Sequence, residues 1–133
     1  MAALRFESGE LISKGSPGRI SNMMENHLLR VENKESLAEL IDRSESTPVI
    51  IFKHSTTCPI SDSAYREMQQ LPNEVHLIEV QSARDVSREF EKKLGVRHES
   101  PQVVVVRHGK AVWNASHGQI KANAVATAVQ ENS

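Results

Sequence analysis

The chain has 133 residues, 38% of them hydrophobic, enough to bury one working core and to argue for a single domain. Its 16 Lys and Arg stand against 17 Asp and Glu, so nucleic acid and anionic membrane surfaces drop out as expected partners. No apolar run approaches the ~20 residues of a membrane helix, no signal-type apolar core opens the chain, and a single cysteine excludes an internal disulfide. A cytoplasmic protein is expected.

Residues 1–22 hold Gly9, Gly15, Ser16, Pro17 and Gly18 with little periodicity and read as a flexible leader; Met23-Met24 directly after them marks a candidate start. The domain is therefore expected over residues 23–133. His27 to Val31 is a short strand candidate. Lys34 to Arg43 spaces Leu37, Leu40 and Ile41 as a helix does, with Asn33 as its cap. Pro48 to Lys53 is an apolar, β-branched run suited to a strand covered on both faces. Ile60 to Leu71 reads as a helix stopped by Pro72-Asn73, Val75 to Val80 as a strand, and Arg84 to Leu94 as a helix closed by Gly95. Gln102 to Arg107 and Lys110 to Ala115 read as strands joined at the turn His108-Gly109, and an Ala- and Val-rich helix runs from about Ile120 to Gln130. This alternation predicts an α/β fold: a mixed central sheet flanked by helices, parallel in its first part and closed by an antiparallel hairpin. In such sheets reactive groups gather at the carboxyl ends of strands.

The lone cysteine stands at such an end, in Thr57-Cys58-Pro59-Ile60-Ser61, between a strand-like and a helix-like run. Free cysteines are often inert and buried. Here the cap and turn residues Thr57, Pro59 and Ser61 point instead to a helix opening, where the dipole and unpaired N–H groups favour thiolate, the form that attacks disulfides. Proline is at home in the first helical position. The position three residues on, where a second cysteine could resolve a mixed disulfide, is Ser61. Resolution must come from an outside thiol.

These residues resemble the monothiol bacilliredoxins, whose active site reads T-C-P-I-S, and the element order resembles the thioredoxin fold. Ser100-Pro101 before a strand resembles that fold's cis-proline, and Gly118 its glycine ahead of the last helix. The resemblance runs from about Met24 to the end. It implies a thiol–disulfide oxidoreductase that removes bacillithiol from S-bacillithiolated client proteins, with bacillithiol as co-substrate, no bound cofactor and no metal. Cys58 is then the catalytic nucleophile, and Ser61, through its hydroxyl and N–H, helps to lower its pKa. Thr57, Pro59, Ile60, Ser100 and Pro101 are the expected substrate contacts, with the Ser100 backbone pairing an extended client chain. Other readings are a glutathione-dependent monothiol glutaredoxin, an iron–sulfur carrier, and a non-catalytic interaction domain.

Histidine is the remaining residue type with catalytic reach. His54, four positions before Cys58, could place a cation beside the thiolate, but a surface histidine on a turn is the expected reading. His27, His76, His98, His108 and His117 form no metal-binding pattern with the cysteine. Glu89, Glu91, Lys92 and Lys93 read as a solvated helix face and Trp113 as a strand residue packing on the sheet.

Overall fold

The computed structural model describes residues 27–56 and 59–133. The expected leader, the Met23-Met24 start, Thr57 and Cys58 lie outside the described residues. In chain order the elements are β1 (Leu28–Arg30), α1 (Lys34–Arg43), β2 (Val49–His54), α2 (Pro59–Gln69), β3 (Val75–Glu79), α3 (Arg84–Leu94), β4 (Gln102–Arg107), β5 (Lys110–Ser116), a 3-10 turn (His117–Gln119) and α4 (Ala122–Glu131).

Local chemistry sets the ends of these elements. The Asn33 side chain accepts the Ser36 N–H at 2.8 Å and starts α1. Gly95 closes α3 at φ +66°, a left-handed value that glycine adopts without steric penalty, and its N–H reaches the Glu91 carbonyl at 2.9 Å. The β4–β5 turn needs two left-handed residues, and His108 (φ +56°) and Gly109 (φ +72°) supply them. Pro59 is the first residue of α2, where its missing N–H leaves no hydrogen bond unmade.

The five strands lie in the order β1-β3-β2-β4-β5. β1 and β2 run parallel to β3, while β4 is antiparallel to both β2 and β5. The antiparallel part thus extends one pairing beyond the hairpin that the sequence suggests. Alternate strand residues feed two cores. Ile50, Phe52, Val103 and Val105 pack under α2 and α4 with Ala64, Met68, Val125 and Ala128. Val49, Ile51, Val104 and Val106 pack under α1 and α3 with Leu37, Leu40, Val86 and Phe90. Each fully buried large side chain contributes about 1.5–3 kcal/mol relative to exposure. Trp113 is partly buried against the first core.

The chain's last helix begins two residues later than its alanine-rich pattern suggests, because the 3-10 turn precedes it and Ile120 is buried between the two. At the end of the sheet where β2 begins, Arg107 donates to the carbonyls of Asn132 (2.9 Å), Ser44 (3.0 Å) and Glu45 (2.7 Å). Buried Ser44 also accepts the N–H groups of His108 at its carbonyl (2.7 Å) and Gly109 at its hydroxyl (2.9 Å). No helix among the described residues is long and apolar enough to cross a membrane.

Candidate active site

The opposite end of the sheet, where β2 finishes, gathers the residues singled out in the sequence. β2 ends at His54, Ser55 and Thr56 follow, and α2 opens at Pro59. Cys58 and Thr57 lie outside the described residues, but both their flanks are held. Ser61, in the first turn of α2, is fully buried and its Oγ accepts the Ser55 N–H at 3.3 Å. From the β3–α3 connection, Gln81 Oε1 accepts the Thr56 N–H at 3.2 Å and its amide group donates to Ser55 Oγ at 2.9 Å. A residue with one acceptor and two donor hydrogens is well suited to such a double tie.

The Ser100–Pro101 peptide bond is cis, as expected. Gln102 lies opposite Lys53 in the β2–β4 register, so Pro101 comes next to the end of β2. The Pro101 carbonyl accepts the His117 N–H at 3.1 Å, which draws the chain after β5 to the same place. Pro101 is buried, whereas Pro59 and Ile60 are exposed, Ile60 at 48%. A groove of about 330 Å³ runs beside Ile60, between α2 and the segment holding Gly118 and Ile120. A Cβ at Gly118 would meet nothing within 4 Å, so no crowding requires glycine there. Two buried polar atoms here, His54 Nδ1 and Ser100 Oγ, have no hydrogen-bond partner.

His54 departs from its expected place on a surface turn. It is the last residue of β2, is only 9% exposed, and its ring lies 5.1 Å from that of Tyr65 and 5.5 Å from that of Phe52. The strand runs one residue further than its apolar pattern, and Tyr65 of α2 covers the extra residue. Burial holds the imidazole below its ordinary pKa, against the opposing pull of Glu79, Asp62 and a hydrogen bond with the Ser61 backbone. At neutral pH His54 is an uncharged ring.

Lys53, on the other face of the sheet, is given no role by the sequence beyond ending the Pro48 to Lys53 strand run. It is fully buried; its Nζ lies 2.6 Å from His98 Nδ1 and 5.3 Å from the centre of the Phe90 ring. Burial lowers its pKa to about 8, although Glu91 and Glu99 pull the other way. Burial also lowers the His98 pKa, with the Lys53 charge second. The available signal was a lysine inside an otherwise apolar strand. Its partner, 45 residues away, is set by tertiary packing.

Of the residues expected at the site, Pro59, Ile60, Ser61, Ser100 and Pro101 therefore flank one end of the sheet, while Thr57 and Cys58 lie outside the described residues. Gln81, Lys53 and His98 are additions from the structure. Among the described residues no group of three or more His, Asp or Glu could hold a metal ion.

Residues 29–125 match the family model described as Monothiol bacilliredoxin BrxC. A solved structure described as a candidate oxidoreductase with a thioredoxin fold is 31% identical, superposes with a TM-score of 0.73, and is matched over 79% of this chain and 96% of its own. Fasciola hepatica thioredoxin is similar in fold alone, at 12% identity and a TM-score of 0.63, over 80% of this chain and 100% of its own. A single-site mutant of thioredoxin from Halobacterium salinarum gives 18% identity and a TM-score of 0.60, over 78% and 88% of the two chains.

Proposed function

The chain belongs to the monothiol bacilliredoxin family, a thiol redox family on a thioredoxin fold, and we propose on that premise that it removes bacillithiol from S-bacillithiolated proteins through Cys58. One observation carries the reading: the only cysteine of the sequence directly precedes the first residue of α2, and the buried side chain one turn into that helix is serine. The first placement favours a thiolate. The second leaves the protein no thiol of its own with which to resolve a mixed disulfide.

In the proposed reaction the Cys58 thiolate attacks the bacillithiol sulfur of the client's mixed disulfide. A new sulfur–sulfur bond forms to Cys58, the old bond breaks, and the client leaves as a thiolate that takes a proton from solvent. A second bacillithiol thiolate then attacks the adduct, releasing bacillithiol disulfide and restoring Cys58. In net terms one free bacillithiol and the client's mixed disulfide become a free client thiol and bacillithiol disulfide. Ile60 and Ser61 supply backbone N–H groups to the attacking sulfur, the Ser61 hydroxyl donates its hydrogen while its oxygen holds Ser55, and Pro59 fixes the helix entry. Exposed Ile60 and Pro59, Thr57, and the Ser100 backbone beside cis-Pro101 receive the client, an S-thiolated protein chain. A reducing compartment such as the cytoplasm supplies the recycling thiol.

The test is to incubate the protein with a bacillithiolated client and follow both by intact mass spectrometry. Cys58 should gain one bacillithiol as the client regains its free thiol, and a glutathionylated client should react more slowly. Equal rates with both would defeat the bacillithiol assignment. No transfer from either client would defeat the enzyme reading.

A further inference from the structure

Beside the loop that leads to Cys58, on the side of α3, lies a second groove of about 390 Å³, within the range of about 300–1,000 Å³ for clefts that hold small molecules. Its link to the loop is Gln81, which lines the groove and also binds Thr56 and Ser55. One face of α3 forms its wall with Arg84, Ser87, Arg88 and Glu91, and His98 faces them from the segment before cis-Pro101.

The chemistry of that wall lacks a partner. Arg84 and Arg88 are exposed and four residues apart, so two like charges share one helix face, an arrangement that weakens a helix when nothing neutralises it. Among the described residues neither guanidinium makes an ion pair; the ion pair within α3 joins Lys93 and Glu89. Arg84 also occupies the first turn, where the helix dipole disfavours a cation. Ser87 is more than nine-tenths buried, lines the groove, and its side chain has no hydrogen-bond partner among the described residues. Ala83 caps the helix without a side-chain acceptor. Behind His98 the buried Lys53 ammonium donates to Nδ1, which leaves the proton of a neutral ring on Nε2, free to serve as a donor. Three basic side chains and a hydroxyl are thus set against the single carboxylate of Glu91.

We propose that this groove binds the carboxylate-bearing portion of the small thiol, with Arg84 and Arg88 as its anion contacts and Ser87 and His98 as hydrogen-bond donors. The inference rests on the de-thiolation reading above and adds its specificity: an acidic small thiol seated here carries its sulfur toward the loop that Gln81 holds, while the client occupies the groove beside Ile60. Fork-shaped guanidinium groups suit carboxylates, and two of them favour a thiol with more than one.

The test uses one client protein carrying either bacillithiol or 2-mercaptoethanol, which has no carboxylate, and compares transfer rates to Cys58 in the full chain. The wild type should prefer the bacillithiol adduct. In Arg84→Gln/Arg88→Gln that preference should fall roughly tenfold or more, the loss expected for one charge-assisted hydrogen bond. Glu91→Gln, which removes the opposing carboxylate, should raise it. A preference unchanged in both variants overturns the groove assignment while leaving the de-thiolating reading intact. Equal slowing with both adducts also overturns it, because the arginines would then be serving the client. If the wild type accepts neither adduct, the functional reading itself falls, and this inference with it.

Discussion

Replacing Lys53 with methionine should stabilise the protein at neutral pH and erase one limb of its pH–stability curve. Methionine keeps an unbranched side chain and removes the charge that sits 5.3 Å from the centre of the Phe90 ring. Lowering the pKa from 10.5 to about 8 corresponds to roughly 3 kcal/mol of preference for the neutral amine in the folded protein. Below pH 8 folded and unfolded chains both hold the proton, so folding carries that whole cost. Between about 8 and 10.5 only the unfolded chain holds it, and stability rises with pH. Above that window the contribution levels off. Urea unfolding at pH 7, 8, 9 and 10, with m-values compared to confirm a common transition, should show Lys53→Met ahead by about 2–3 kcal/mol at pH 7. The lead should shrink as pH rises, because the wild type alone gains. Curves that stay parallel across the window would refute the reasoning and show that the buried amine is fully compensated by Glu91, Glu99 and His98.

Three further outcomes follow from the site. The Cys58 thiolate, titrated by ultraviolet absorbance against Cys58→Ser, should show a pKa below the ~8.5 of a free thiol, and Ser61→Ala should raise it only modestly, because the helix start supplies most of the effect. Ser61→Cys should turn the monothiol into a dithiol pair, seen by mass spectrometry after mild oxidation as loss of two hydrogens in place of an added small thiol; full retention of the adduct would contradict the placement. His54→Phe should make the protein more resistant to acid: a buried imidazole with a lowered pKa stays neutral in the folded state while the unfolded chain takes up a proton below about pH 6.5, so stability falls with pH there, and a phenyl ring beside Tyr65 removes that loss. Thermal midpoints between pH 5 and 7.5 that fall equally in both proteins would count against it.

The parts of the fold that were legible in the sequence are those fixed by neighbours along the chain. Asn33 caps α1, Gly95 ends α3, His108-Gly109 turns the hairpin, and Pro59 opens α2, each through a dihedral or hydrogen bond within a few residues. The cis bond at Pro101 was expected on resemblance. What was missed depends on register and on packing across the sheet. Strand alternation sends Lys53 to the α3 face and His54 to the α2 face, yet whether a polar residue at a strand end is covered depends on which side chain arrives from the facing helix. Tyr65 arrives over His54, and Phe90 and His98 arrive over Lys53. Likewise the tie from Gln81 to Ser55 and Thr56 spans 26 and 25 residues, and only the parallel pairing of β2 with β3 brings its ends together.

The clamp of Arg107 and Ser44 divides the molecule by mechanical duty. It fastens the far end of α1, the β4–β5 hairpin and the end of α4 into one knot where β2 begins. At the opposite end the connection after β2 is held by side chains instead, Ser61 accepting from Ser55 and Gln81 bonding to both Ser55 and Thr56. Such a division leaves the side chains at the β2–α2 connection, Ser55, Ser61 and Gln81 among them, open to substitution without touching the bonds that tie the hairpin to α1 and α4.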